Sequence, residues 1–155
     1  MKILYVCTHN RCRSILSEAI TRQLGQGILH AASAGSQPVG EVHPLSLRYL
    51  SEAGYNTDGL TSQSWHDVES FAPDVVITVC DSAAAETCPV WFGNNLKVHW
   101  GLADPSKLSG SDTQVAEAFR QTISEIEQRV KVLRDIAQLP RDQWANALQQ
   151  QGAQL

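Results

Sequence analysis

Residues 1–19 read MKILYVCTHNRCRSILSEA, and the fold turns on how that stretch is parsed. The run KILYV is short, apolar and β-prone, as suits a strand buried on both faces. It stops at Cys7. A short polar loop follows, and Arg13-Ser14 leads into apolar Ile15, Leu16, Ala19, Ile20 and Leu24 at helical spacing. That helix finds its stop near Gly25 and Gly27. Cys7 and Arg13 therefore bracket a strand-to-helix loop.

Such a loop has a physical use. A tight turn entering a helix points several backbone N–H groups inward, and the helix N-terminus adds partial positive charge. A nest of that kind binds a tetrahedral oxyanion, and an arginine fork clamps two of its oxygens. Thr8, His9, Asn10, Arg11, Cys12, Arg13 and Ser14 are the expected oxyanion-binding residues. The same field is expected to favour thiolate at Cys7, with Ser14 donating to the sulfur. A thiolate beneath a bound oxyanion is a nucleophile aimed at its central atom, phosphorus or arsenic. A Cys-x5-Arg string also arises by chance, and Cys7 alone fits an ordinary strand-end cysteine. Its place at the first strand-to-helix turn, with a serine after the arginine, favours the oxyanion loop.

Outward from that loop the layout repeats. ILHAASAG reads as a strand closing on Gly35, and HPLSLRYLSEAG as a helix with Pro44 in its first turn. WHDVESF reads as a short helix. DVVITVC is the strongest buried-strand signal and ends on Cys80, and LKVHW is a fourth strand. Residues 112–139 form a long amphipathic pattern through Val115, Phe119, Ile123, Ile126, Val130 and Leu133. Strands alternating with helices predict an α/β fold, a four-stranded parallel sheet with helices on both faces. Residues 1–139 are expected to form one domain. Residues 140–155 read as a polar tail or short helix, with only Trp144, Ala147 and Leu148 apolar.

Composition narrows the function classes. A chain of 155 residues with 43% hydrophobic content suits one domain with a real core. A formal net charge of −4 and no long basic run argue against nucleic acid. No apolar run has membrane-spanning length, and residues 3–6 are too short for a signal peptide, so a cytoplasmic location is expected. Four cysteines, Cys7, Cys12, Cys80 and Cys88, in a reducing compartment point to catalysis, redox or metal. Ligands of an open parallel sheet sit off the carboxyl ends of its strands, where both Cys7 and Cys80 fall.

These pieces resemble a family. VCTHNRCRSILSEA, SAGS at residues 33–36, DVVITVC, Cys88 and HWGLADPS are similar, in that order, to the low-molecular-weight protein tyrosine phosphatase superfamily, most closely its arsenate reductase branch. The resemblance spans roughly residues 1–139. It implies Cys7 as nucleophile, Arg13 as oxyanion clamp and Asp104 as general acid. It also implies that Asn10 braces the loop and Ser14 supports the thiolate. Independently of the family, Pro105 confines Asp104 to an extended or turn conformation, which fixes where its carboxylate points. An Asp-Pro turn without a chemical role is the alternative.

Phosphatase and reductase share that half of the chemistry. The phosphatases usually carry Arg-Ser-Pro and an aromatic pair after the acidic Asp-Pro. Here Ile15 follows Ser14, and Ser106, Lys107 and Leu108 follow Pro105. The chain has Cys80 and Cys88 instead. Reducing arsenate to arsenite takes two electrons, which two thiols supply on becoming a disulfide. The expected relay runs from Cys7 to Cys80 to Cys88, with no cofactor and an external thiol reductant, thioredoxin or glutaredoxin with glutathione. The small, polar residues 81–87 are expected to bend so that Cys88 reaches Cys80. Zinc on Cys80, Cys88 and His99, or two inert cysteines, are the other readings of that pair. A phosphatase using Cys7, Arg13 and Asp104 and a non-catalytic oxyanion-binding module are the other readings of the chain. Cys12 reads as a loop-packing thiol and His43, before Pro44, as structural. Asn10, Glu18 and Ser33 match part of a potassium site known in relatives, but His66 falls where an acidic ligand is expected, so no ion is assigned.

Overall fold

The computed structural model describes residues 1–80 and 95–154, the last four by their backbone alone. Four parallel strands form one sheet in the order β2-β1-β3-β4: β1 Lys2–Cys7, β2 His30–Gly35, β3 Val75–Thr78 and β4 Leu96–His99. In β1 every residue from Ile3 to Cys7 is buried. Successive side chains of a strand point to opposite faces, so both faces of the sheet are covered there. β4, at the edge, alternates half-buried and exposed residues.

Helix α1 (Arg13–Leu24) is buried nearly all round, including Ser14, Ser17, Glu18 and Thr21. The Thr21 hydroxyl lies 2.7 Å from that of Tyr5 in the central strand, which satisfies two buried hydroxyls at once. Helix α2 (Pro44–Glu52) stacks Tyr49 on Phe119 of helix α3 (Asp112–Ala137) at 4.9 Å between ring centres. Ser111 and Gln114 close a capping box at the start of α3. WHDVESF forms a 3-10 helix, Trp65–Phe71, begun by the Ser64–Asp67 capping box.

One strand differs from its sequence reading, and the tail takes the helical one of its two readings. β3 stops at Thr78, two residues before Cys80, although Val79 N still donates to Val6 O and Val79 O accepts from Leu102 N, just past Gly101 with its positive φ of 60°. The polar-looking tail holds helix α4 (Trp144–Gln154), which packs on α3 and β4 and buries Trp144 and Leu148 in the common core. Arg141 ties that segment back to Asp74 beside β3 at 2.5 Å. Among the described residues no helix is long and apolar enough to cross a membrane.

Candidate active site

β1 and β3 are neighbours in the sheet, so their carboxyl ends open on one cavity of about 280 Å³. Cys7 and Cys80 line it together with Arg13 and Asp104, although 97 positions separate Cys7 from Asp104 in the chain (104 − 7). A second cavity of about 290 Å³, between Trp100, Val132, Leu133 and Leu148, is mainly apolar and contains no nucleophile.

The loop after β1 is held through four of its carbonyls. Thr8 O accepts from Gln37 N, His9 O from Val39 N, Arg11 O from His43 N, and Cys12 O from Leu16 N. With the carbonyls bonded on the outside, the N–H edges are left to the cavity. Asn10 makes the turn possible by taking a left-handed φ of 50°. Gly35 lets β2 approach closely: a Cβ there would stand 2.6 Å from Thr8 O.

The buried Asn10 amide braces the groups around Cys7. Its Oδ1 accepts from Gln63 N at 2.8 Å. Its Nδ2 donates to Ser14 Oγ at 2.8 Å and to Ser33 Oγ at 3.0 Å. Ser33 passes its own proton to Glu18 Oε1 at 2.6 Å, and Glu18 Oε2 meets Arg22 at 2.5 Å. Ser14 Oγ lies 2.9 Å from Cys7 Sγ, where its hydroxyl can donate to a thiolate. The Asn10 N–H adds a second donor to the sulfur at 3.1 Å.

Two opposed effects act on that thiol. Burial pushes Cys7 above its ordinary value, while the Ser14 hydroxyl and the Asn10 N–H pull it down; a negative Cys80 adds a smaller upward push. The expected thiolate-favouring donors are present, but desolvation outweighs them. Cys12, buried at the start of α1, is pushed up to about 12 by burial, so it stays protonated and packs the loop. His9 is exposed and Arg11 half-buried at the mouth.

Arg13 donates from Nη1 to Leu102 O at 2.9 Å, and its Nη2 lies 3.6 Å from Asp104 Oδ2. The backbone of Asp104 is extended, as a following proline requires, and its Oδ1 accepts from Ser106 N at 3.0 Å and Ser106 Oγ at 2.6 Å. The Cys80 sulfur, buried, lies 3.8 Å from Thr8 Oγ1. Cys88 and residues 81–87, the remaining part of the expected relay, lie outside the described residues.

His43, read as structural, both caps α2 and lines the cavity. Gln63, Arg22, Ser106 and Lys107 carried no signal in the sequence; all four touch the site or its bracing network. His99 Nδ1 is 2.8 Å from Thr78 Oγ1, and His66 Nε2 accepts from Trp65 Nε1 at 3.1 Å. Among the described residues no group of three or more His, Cys, Asp or Glu is placed to hold a metal ion.

This architecture has known counterparts. Residues 2–145 match the low molecular weight phosphotyrosine protein phosphatase family. An arsenate reductase of Halalkalibacterium halodurans is 33% identical over 83% of this chain and 91% of its own length. A glutaredoxin arsenate reductase of Synechocystis is 30% identical over 85% of this chain and 95% of its own length. A solved arsenate reductase in its phosphate binding state superposes with a TM-score of 0.71 at 30% identity, covering 86% of this chain and 96% of its own. The chain belongs to the low molecular weight phosphotyrosine protein phosphatase family, and within it to the arsenate reductase branch.

Proposed function

We propose that this protein reduces arsenate to arsenite through a thiol relay begun by Cys7. The observation that carries the reading is the shared cavity. A buried nucleophile, an arginine fork, a carboxyl group and a second thiol open on one space between the ends of β1 and β3.

Arsenate enters the loop, where Arg13 and the inward N–H groups hold its oxygens. The basic oxyanion takes the Cys7 proton, which offsets the cost of ionising a buried thiol, and the Ser14 and Asn10 donors hold the sulfur as it attacks arsenic. An S–As bond forms, and an As–O bond breaks as water leaves with a proton from Asp104. Cys80 then attacks the Cys7 sulfur. The S–As electron pair stays on arsenic, arsenite departs, and a Cys7–Cys80 disulfide remains, so the two thiols have supplied both electrons. Cys88 attacks Cys80 in turn, frees Cys7 and leaves a Cys80–Cys88 disulfide. An external dithiol reduces that bridge. The glutaredoxin in a relative's name supports a donor of the thioredoxin or glutaredoxin class.

Serine variants at the two downstream cysteines test the scheme. Cys80→Ser and Cys88→Ser are both expected to lose multiple-turnover reduction with either donor. Mass spectrometry after arsenate should find a trapped Cys7–Cys80 disulfide in Cys88→Ser and a Cys80–Cys88 bridge in the wild type. Full turnover by both variants would make the two thiols bystanders.

A further inference from the structure

His43 is the first capping residue of α2, a task that Ser, Thr, Asp or Asn usually performs with a much shorter side chain. Its Nδ1 accepts from Leu45 N at 3.1 Å. An acceptor nitrogen carries no proton, so the neutral ring bears its hydrogen on Nε2. Protonating the ring would set a second N–H against that of Leu45 and break the cap. Burial and the neighbouring Arg11 both hold His43 neutral, against a smaller opposite pull from Asp104.

The start of α2 is also firmly placed. His43 N and Ser46 Oγ both donate to Arg11 O, at 3.0 and 3.2 Å, which ties the start of α2 to the oxyanion loop itself. With Nδ1 turned to the helix, Nε2–H is the polar atom this ring has left for the cavity it lines beside Arg13, Asp104 and Lys107.

We infer that His43 is a substrate-contacting residue whose Nε2–H donates to an oxygen of the oxyanion held over Cys7. This rests on the oxyanion reading of the loop and adds a neutral donor from a separate helix. A neutral donor suits this wall, because Arg11 and Arg13 already supply positive charge and a further cation there would meet repulsion. It also fixes how the anion is turned, which two arginines and a ring of backbone donors leave open.

His43→Asn separates capping from contact, since asparagine caps a helix as well as any residue but cannot reach the cavity through an Nε2–H. We expect its melting temperature to match the wild type. Its affinity for inorganic phosphate should fall about tenfold, as for loss of one hydrogen bond to a charged group, and its KM for arsenate should rise with it. His43→Ser, which also caps, should behave the same way, whereas His43→Ala should lose thermal stability too. In nitrogen NMR of the wild type, phosphate should shift the Nε2 resonance and leave Nδ1 still. Unchanged phosphate affinity in both His43→Asn and His43→Ser, or an unmoved Nε2 resonance, would overturn the inference. The failure of the underlying reading would look different: phosphate would then bind no more weakly to Arg13→Lys than to the wild type.

Discussion

The two sides of the cavity are built to different degrees of constraint. On the Cys7 side, four loop carbonyls bond outward and the Asn10 amide spends all its donors and an acceptor inward. Moving any one group there leaves another buried polar atom unpaired. On the Asp104 side, one carboxylate oxygen is held by Ser106, two residues away, and the other stands 3.6 Å from Arg13. The acid is thus positioned by one local turn and its ion pair with Arg13, and the nucleophile by a network that joins the loop, α1, β2 and Gln63. Substitutions on the acid side should alter chemistry and leave the fold alone; those on the nucleophile side should disturb both.

The sharpest way to break that comparison is Asp104→Asn. The amide keeps the shape and can still accept from Ser106, but it supplies no proton to a leaving oxygen. The first chemical step should slow by roughly a hundredfold or more, with melting temperature and phosphate affinity near those of the wild type. Single-turnover kinetics with arsenate measures it. A rate within error of the wild type would reduce Asp104 to a turn residue, and a large fall in stability would mean that the acid side is as interlocked as the nucleophile side.

Ser14→Ala sharpens the other half. It removes the Ser14 hydroxyl from Cys7 Sγ and leaves Asn10 Nδ2 with Ser33 Oγ as its one remaining acceptor. Donors to the sulfur favour the thiolate, and burial already holds the thiol pKa up, so losing one moves it further in the same direction. The midpoint of Cys7 alkylation by iodoacetamide should move to higher pH, and arsenate turnover near neutral pH should fall about tenfold. A midpoint that stays put or moves down would show that the donors are irrelevant to the thiolate.

The same contrast explains what could be read from the chain. Residues 1–19 announced strand, loop and helix because their signals are local: an apolar run, an Arg-Ser pair and apolar spacing at helical period. Asp104 entered through the family resemblance, and Pro105, again a neighbour, told only that its backbone would be extended or in a turn. Gln63 was silent and Gly35 was read as a strand end without its contact to the loop, because one acts through a backbone N–H and the other through a missing Cβ, each against a loop more than 20 residues away. His43 looked like a helix start and no more, since only the tie from α2 to Arg11 brings it to the cavity. The tail was legible as a short helix with a small apolar patch, but not as part of the core. Trp144 and Leu148 make a thin stripe that becomes a core face only where β4 and α3 leave room for it.

The finest test follows the bracing network to its outer end. Glu18 is buried, and burial alone drives its carboxyl toward the protonated form; Ser33 and Arg22 oppose this. Ionised, it accepts the Ser33 proton and so leaves the Ser33 oxygen free to accept from Asn10. Protonated, it would compete to donate to that oxygen and loosen the Asn10 amide that orients Ser14. Arg22 supports the ionised form but is 45% exposed, where solvent weakens an ion pair. Arg22→Gln should therefore shift the Cys7 alkylation midpoint upward by only about twofold in thiolate fraction, less than Ser14→Ala. Arg22→Lys should restore most of it, and Glu18→Gln should exceed it, because the amide cannot serve Ser33 as a charged acceptor does. If neither Arg22→Gln nor Glu18→Gln moves the midpoint, the constraint on Cys7 ends at Asn10, and the network beyond it serves only the packing of α1 on β2.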